Sequence, residues 1–188
     1  MFDDSEQVVR VAVVLAASLF AAATDISRLK IYNLLTLPLI ATGLIYNSVV
    51  DGTAGIGSSL AGLFVAGGIL LLPYLLGGMG AGDVKLMAGV GAWLGMPLAL
   101  YVLAASLMVA GVYAAIVVIR NAGGVRPVLL SLQLLFYRVQ TLGVYLRAGD
   151  DNVSAVMKTS GRRQRLIPFG AMVAIGALAV FVWQSMIE

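Results

Sequence analysis

Two aspartates stand at the ends of long apolar stretches in this chain. Asp25 closes an early apolar run, and Asp83 lies in the glycine-rich stretch from Gly80 to Lys85, between two further apolar runs. Ionisable side chains at membrane depth are costly and usually serve a function. Two carboxylates within reach of one water can hydrolyse a peptide bond, because one takes a proton from the water and the other donates one to the leaving amine. The pattern suggests an intramembrane aspartic peptidase with Asp25 and Asp83 as its catalytic pair.

The composition indicates a protein that resides in a lipid bilayer. Of its 188 residues, 61% are apolar and 11% are charged, whereas soluble domains carry about 25% charged residues. Cysteine and histidine are both absent from the sequence, which removes thiol chemistry, Ser-His pairs and most zinc-hydrolase ligand sets. We therefore expect no metal and no other cofactor. The net charge of +3 does not indicate nucleic-acid binding, because most basic residues lie in loops beside apolar runs, which is a topology signal.

The apolar runs predict one all-α membrane domain, 1–188, with six transmembrane helices. The predicted spans are 8–24, 33–50, 55–76, 83–95, 97–119 and 166–187. Loop 120–165 is predicted to be cytoplasmic and to carry an interfacial helix between the fifth and sixth spans, because apolar residues recur every three or four positions over 128–146. A marginal seventh span is the alternative there, and Arg138 in its middle disfavours it.

The number of spans follows from the distribution of charge. The uncharged stretch 86–119 is compatible with one long helix kinked at Pro97 or with two spans joined by a tight turn. Arg28 and Lys30 mark one loop as cytoplasmic, and the basic loop 120–165 marks another. An even number of spans must separate these loops, and only the split gives four. Both termini are then expected outside.

The predicted fourth span, 83–95, is too short to cross a bilayer. The dozen residues from Asp83 to Leu94 cover about 18 Å, against about 30 Å of hydrocarbon. Its cytoplasmic end, with Asp83, is therefore expected to lie below the headgroups in a cleft that water reaches. The glycine-rich turn is expected to form a wall of that cleft, because irregular backbone at this depth must be covered by protein or line a cavity. Asp25, at the cytoplasmic end of the first span, is expected at a similar depth.

Four further residues are candidates for supporting the aspartates or binding substrate: Gly80, Gly82, Lys85 and Asn33. The two glycines allow backbone to approach backbone or substrate closely. Lys85 has the charge to neutralise a surplus carboxylate or orient one of its oxygens. Asn33 has the amide to hydrogen-bond nearby backbone.

Each of these polar residues also has a plainly structural interpretation. Asp83 or Asn33 is a suitable N-cap for the helix that follows it. Asp25 is suited to end the first span and pair with Arg28. Lys85 is suited to anchor its helix at the membrane interface.

Three motifs, in order along the chain, resemble those of the type IV prepilin peptidase family. They are Asp25 to Asn33, in which a basic loop leads to the next helix, Gly80 to Lys85, which reads Gly-x-Gly-Asp-x-Lys, and Ile167 to Gly170, which reads Ile-Pro-Phe-Gly. The chain departs from the family pattern at Tyr32, where proline is usual, and at Ala171, where proline often follows. These departures affect helix starts and leave the aspartates unchanged.

The resemblance implies an aspartic endopeptidase of the bacterial inner membrane with its active site at the cytoplasmic face. Its implied substrates are pilin-like precursors, each with a short basic leader ending in glycine and an apolar helix behind it. Cleavage would serve pilus or secretion-filament assembly. Larger relatives carry a cysteine-bearing insert and also N-methylate the new terminus. This chain resembles the short Tad/Flp-type enzymes, so we expect no methyltransferase activity.

Other functions stay open on the sequence alone. One is a presenilin-like Gly-x-Gly-Asp protease with other substrates, another a small proton-coupled transporter, and a third a structural subunit of a secretion complex. Membrane lipid is an expected partner and nucleic acid is not. The oligomeric state also stays open, because Gly91 and Gly95 suit either a dimer face or internal packing.

Overall fold

The computed structural model describes residues 4–28, 31–75, 79–122 and 169–186 of the chain. Its helices are α1 (Asp4–Arg28), α2 (Asn33–Leu75), α3 (Ala81–Ala122) and α4 (Phe169–Ser185). The described part is all-helical, as predicted. Three of the helices, α1 to α3, are long and apolar enough to cross a membrane, and α4 is a shorter apolar helix. The predicted interfacial helix, 128–146, lies outside the described residues.

Helix α2 reverses direction at Gly52. The backbone there has φ 59° and ψ −135°, a conformation that glycine adopts at little cost. Asn47 Nδ2 lies 2.7 Å from Ser59 Oγ, although twelve residues of unbroken helix would separate them by about 18 Å. Helix α2 therefore consists of two antiparallel segments, α2a (33–51) and α2b (53–75).

Helix α3 has a second break at Gly95, where φ is 74°. We call its two segments α3a (81–94) and α3b (96–122). Segment α3a lies between the two segments of α2. Gly43 of α2a and Gly62 of α2b face it so closely that a Cβ atom added at either would overlap its atoms.

Segment α3b runs back toward the end where α3a begins. The Tyr101 ring meets Trp183 of α4 edge-on at 6.1 Å, whereas Ser106, further along α3b, contacts Gly176, which is earlier in α4. The two helices are therefore antiparallel. Helix α4 begins beside the C-terminal end of α1, where Gly170 packs against Ala21.

The break in α3 is stabilised by a polar junction around Asn47. Pro97 has no N–H to donate to the carbonyl four residues earlier, that of Trp93. Asn47 Nδ2 donates to this oxygen at 3.2 Å and to the neighbouring Ala92 oxygen at 2.8 Å. Ser59 Oγ also donates to Ala92 O. The Asn47 side chain of α2a thus provides a hydrogen-bond donor for carbonyls at the break, and it joins α2a, α2b and α3a.

The glycines of the Gly91-x-x-x-Gly95 pattern are used for internal packing. Gly91 meets the backbone of Gly62, and Gly95 meets the Ser58 side chain. Both glycines are buried within the chain. This face of α3a is therefore occupied by α2b.

Two groups of segments result from these contacts. Segments α2a, α2b and α3a pack tightly together, and α4 packs on both α1 and α3, whereas α1 makes few contacts with α2. One hydrophobic core joins the groups, with buried side chains from all four helices. Consecutive segments alternate in direction, so one end of the bundle carries the starts of α2a, α3a and α4.

We expect Gly62→Ala to lower the free energy of unfolding by about 1–3 kcal/mol, the usual cost of overpacking a core. The added methyl group would overlap the Gly91 carbonyl oxygen, and backbone cannot rotate away. Thermal unfolding in detergent measures the change. Gly68→Ala is the matched control on the same segment, because its Cβ would have no atom within 4 Å. Equal effects of the two substitutions would contradict this packing.

Candidate active site

Asp83 is held in the first turn of α3 by its own helix. The Gly80 carbonyl accepts hydrogen bonds from the amides of Asp83 at 3.1 Å and Val84 at 3.4 Å, so Gly80 is the N-cap residue. The Gly80 amide in turn donates to Asp83 Oδ2 at 2.9 Å. This is the return bond of a capping box. The N-cap role considered for Asp83 is therefore wrong in detail, since the aspartate holds the residue that caps.

Asp25 is held by a helix that lies far away in the sequence. It lies in the last turn of α1, and its Oδ2 accepts the Gly170 amide at 2.9 Å. Gly170 is the second residue of α4, where amides have no partner within the helix. A Cβ at Gly170 would lie 3.1 Å from the carbonyl carbon and oxygen of Ala21. Glycine therefore allows the approach that makes the hydrogen bond.

Both carboxylates face the N terminus of a helix, although Asp25 also lies at the C-terminal end of its own helix, α1. Asp25 lies at the N terminus of α4 and Asp83 at that of α3, and the positive end of a helix dipole stabilises negative charge. Their exposed fractions are 1% and 3%. Burying a charged group is costly unless it is hydrogen-bonded. The backbone amides of the two glycines meet part of that requirement for each aspartate.

Both aspartates lie at the same end of the bundle. The chain leaves α1 just after Asp25, and six residues later Ile31 is buried against Gly82, where an added Cβ would lie 2.9 Å from the Ile31 Cβ. Asp83 is the next residue. At the opposite end, Arg10 of α1 forms an ion pair with the turn between α2a and α2b. Arg10 and Asp25 are about 22 Å apart along α1.

Asn33 and Lys85 join the starts of α2 and α3a. Lys85 Nζ donates to Asn33 Oδ1 at 3.0 Å, and the lysine is half-buried while the asparagine is exposed. The N-cap role considered for Asn33 is wrong, because the Tyr32 carbonyl accepts the first helical amides of α2 at 3.0 and 3.3 Å. The pairing considered between Asp25 and Arg28 involves a side chain outside the described part of the structure.

The three sequence motifs therefore meet at one end of the bundle. Asp25 of the first motif is bound by Gly170 of the third, and Asn33 of the first is bound by Lys85 of the second. Sequence analysis missed the site roles of Gly170 and Ile31. Gly170 was visible in the Ile-Pro-Phe-Gly motif, but nothing in the motif shows which residue its amide binds. Two buried carboxylates with fixed oxygens provide the groups that acid–base chemistry requires.

Comparisons with known proteins identify the family to which the sequence is similar. The type IV leader peptidase family matches residues 12–115, which contain both aspartates. The prepilin leader peptidase/N-methyltransferases of Aeromonas hydrophila and Aeromonas salmonicida (strain A449) are 33% and 32% identical to this chain over 112 residues. These matches cover 55% of this chain and 38% of each relative. No solved structure matches the chain significantly. Because the family match covers more than half of the chain, the chain belongs to the type IV leader peptidase family.

Proposed function

We propose that this protein is an aspartic endopeptidase that removes the short leader of pilin-like precursors at the cytoplasmic face of the bacterial inner membrane. The observation that carries the proposal is the position of Asp25 and Asp83, two buried carboxylates held at helix N termini at one end of the bundle. Family membership favours this function over a presenilin-like protease or a proton-coupled transporter.

Hydrolysis by the pair needs one carboxylate ionised and one protonated, because two carboxylates that share a site do not readily ionise together. The ionised group accepts a proton from a water, whose oxygen adds to the scissile carbonyl carbon. The protonated group hydrogen-bonds the carbonyl oxygen and then supplies a proton to the leaving amine as the C–N bond breaks. The Gly80 and Gly170 amides keep one oxygen of each carboxylate in place during these transfers.

We propose that the six helical segments are six membrane spans. Their alternating directions and the reversals at Gly52 and Gly95 support this. Basic residues Arg28, Lys30 and Arg120 of the sequence follow or end segments at the aspartate end, which suits a cytoplasmic location. Both termini are then outside.

The length of α3a supports access of water to the aspartates. Its residues 81–94 cover about 21 Å, which is less than the hydrocarbon thickness of about 30 Å. A span that is shorter than the bilayer leaves its first turn below the membrane surface. Asp83 in that turn would thus meet water and an extended peptide in a cleft. Gly80 at its wall adds no side chain that would fill it, whereas the space beside Gly82 is occupied by Ile31.

The proposed substrates have a matching chemistry. A basic residue of the leader would be drawn to the ionised carboxylate of the pair, and the apolar helix behind the leader would stay in the lipid. The two curated relatives are named for leader peptidase activity on prepilins. Lys85, tied to Asn33, would limit the negative charge of the site, and both residues would border the peptide.

We expect Asp25→Asn and Asp83→Asn each to lower leader cleavage by about 100- to 10,000-fold, the range that a general acid or base contributes. The amide keeps the shape and the hydrogen-bond acceptor but cannot transfer the proton. Co-expression with a pilin precursor and a gel shift of the processed product measure the effect. Glu6→Gln, at the other end of α1, is the control. Near-normal turnover by either Asp variant, correctly inserted, would refute the catalytic pair.

Gly170→Ala tests whether the start of α4 positions Asp25. The added methyl group would lie 3.1 Å from the Ala21 carbonyl, so α4 and α1 must separate by a few tenths of an ångström, and a misplacement of about 1 Å in an active site costs about 100-fold in rate. We expect at least about tenfold slower leader cleavage. Gly111→Ala on α3b is the control, because its Cβ would have no atom within 4 Å. Wild-type cleavage by the Gly170 variant would show that this contact is dispensable.

Reporter fusions test the proposed topology. A periplasmic reporter enzyme fused after Gly52 should be active and one fused after Arg120 should be inactive, because these positions lie at opposite ends of the bundle. A cytoplasmic reporter should give the reverse pattern. The same location for both fusion points would contradict the six-span arrangement.

A further inference from the structure

A cavity of about 330 Å³ lies at the end of the bundle opposite the aspartates. Its polar lining comes from Arg10 of α1 and from Asn47, Asp51 and Ser58 of α2, and Gly95 lies in its wall. At about 30 Å³ per water, this space holds about ten water molecules. It is therefore large enough for a small polar group.

An ion pair lies in the wall of this cavity. Arg10 Nη2 and Asp51 Oδ2 are 2.6 Å apart, with side chains 4% and 29% exposed. The Arg10 guanidinium also lies over the Tyr46 ring, 5.8 Å from its centroid. Apolar residues of similar volume are often as stabilising as a buried ion pair. Stability alone therefore does not explain why charge is kept here.

The charges of the cavity select for a ligand that carries both signs. Arg10 and Asp51 are the charged side chains among the described residues that line it. A simple anion bound by Arg10 would be repelled by Asp51. A simple cation bound by Asp51 would be repelled by Arg10. A zwitterion with its charges a few ångströms apart gives each side chain an opposite partner. The guanidinium fork presents five N–H donors, so it is able to contact a carboxylate and a phosphate together.

We propose that this cavity binds a phosphoethanolamine group, as carried by an aminophospholipid. The phosphate lies against the Arg10 guanidinium, and the primary ammonium donates hydrogen bonds to the Asp51 carboxylate. A quaternary ammonium has no N–H to donate, so a choline headgroup fits the site less well. A glycerol headgroup lacks the positive charge altogether.

The surroundings of the cavity suit acyl chains. Val8 and Val9 precede Arg10 on α1 and are 65% and 41% exposed, and Met96 follows Gly95 and is 43% exposed. These exposed apolar side chains lie at the same level of the bundle as the polar lining, so acyl chains of a bound lipid would find apolar surface there. With both termini outside, the site faces the outer leaflet. The choice of leaflet rests on the proposed topology. The chemistry of the site does not depend on that topology.

The proposal is tested with the full-length protein, purified in detergent, by thermal unfolding with short-chain lipids. Dihexanoyl phosphatidylethanolamine should raise the Tm saturably, since a ligand that binds the folded state stabilises it. The choline and glycerol lipids of the same chain length should need at least about tenfold higher concentration for the same shift. Equal shifts by all three lipids would overturn the proposal.

Free phosphoethanolamine distinguishes the source of the ligand. If free phosphoethanolamine raises the Tm at the same concentration as the lipid, a soluble phosphoethanolamine compound occupies the site without help from acyl chains. A shift that only the lipid produces identifies a membrane lipid as the ligand. Absence of a shift with both overturns the proposal.

Variants locate the binding in this cavity. Arg10→Gln and Asp51→Asn should each abolish the preference for the ethanolamine lipid, whereas Arg120→Gln, an exposed arginine on α3b, should keep it. Ala54→Leu keeps the ion pair and fills the cavity from an exposed position in its lining, so it tests the site even if Arg10→Gln does not fold. A wild-type response of the Ala54 variant to the ethanolamine lipid would show that the ligand binds elsewhere.

Discussion

A carboxylate buried in a membrane protein must find hydrogen-bond donors within the chain, and this requirement organises the structure. Asp25 and Asp83 meet it in the same way, with a backbone amide from the N terminus of a helix. Those amides have no partner inside their own helix, so the aspartate and the helix end satisfy each other. The groups proposed for catalysis are therefore also the groups that hold the starts of α3 and α4. Packing and chemistry at this end cannot be changed independently.

The breaks in α2 and α3 decide where this end lies relative to the rest. Gly52 and Gly95 reverse the chain, and Asn47 satisfies the carbonyls that the second break leaves open. Segment α3a is short because of this break, and it is enclosed by both segments of α2. In the proposed topology, this short, enclosed segment brings Asp83 to a depth below the membrane surface that the start of a full-length span would not have.

The bundle thus has polar structure at both ends and an apolar core between them. Helix α1 reaches both, since it carries Arg10 near its start and Asp25 in its last turn. It packs mainly on α4 and little on α2, so the Arg10–Asp51 ion pair is a specific link between α1 and the turn of α2. The two ends differ in how their buried charged groups are arranged. At one end two carboxylates are held by backbone amides, and at the other Arg10 and Asp51 form an ion pair.

The all-α class and the suitability for a membrane were predictable from the residues alone, because a high apolar content and long uncharged runs are typical of helices in a lipid bilayer. The local glycine motif and the end of an apolar run also predicted which aspartates stand at helix ends. The six crossings and the interfacial helix stay predictions. The packing of the helices was needed to see that Gly170 holds Asp25, 145 residues away, and that Asn47 binds the carbonyls at the break in α3. Hydrogen bonds between segments depend on how helices pack, and local residue patterns describe one segment at a time.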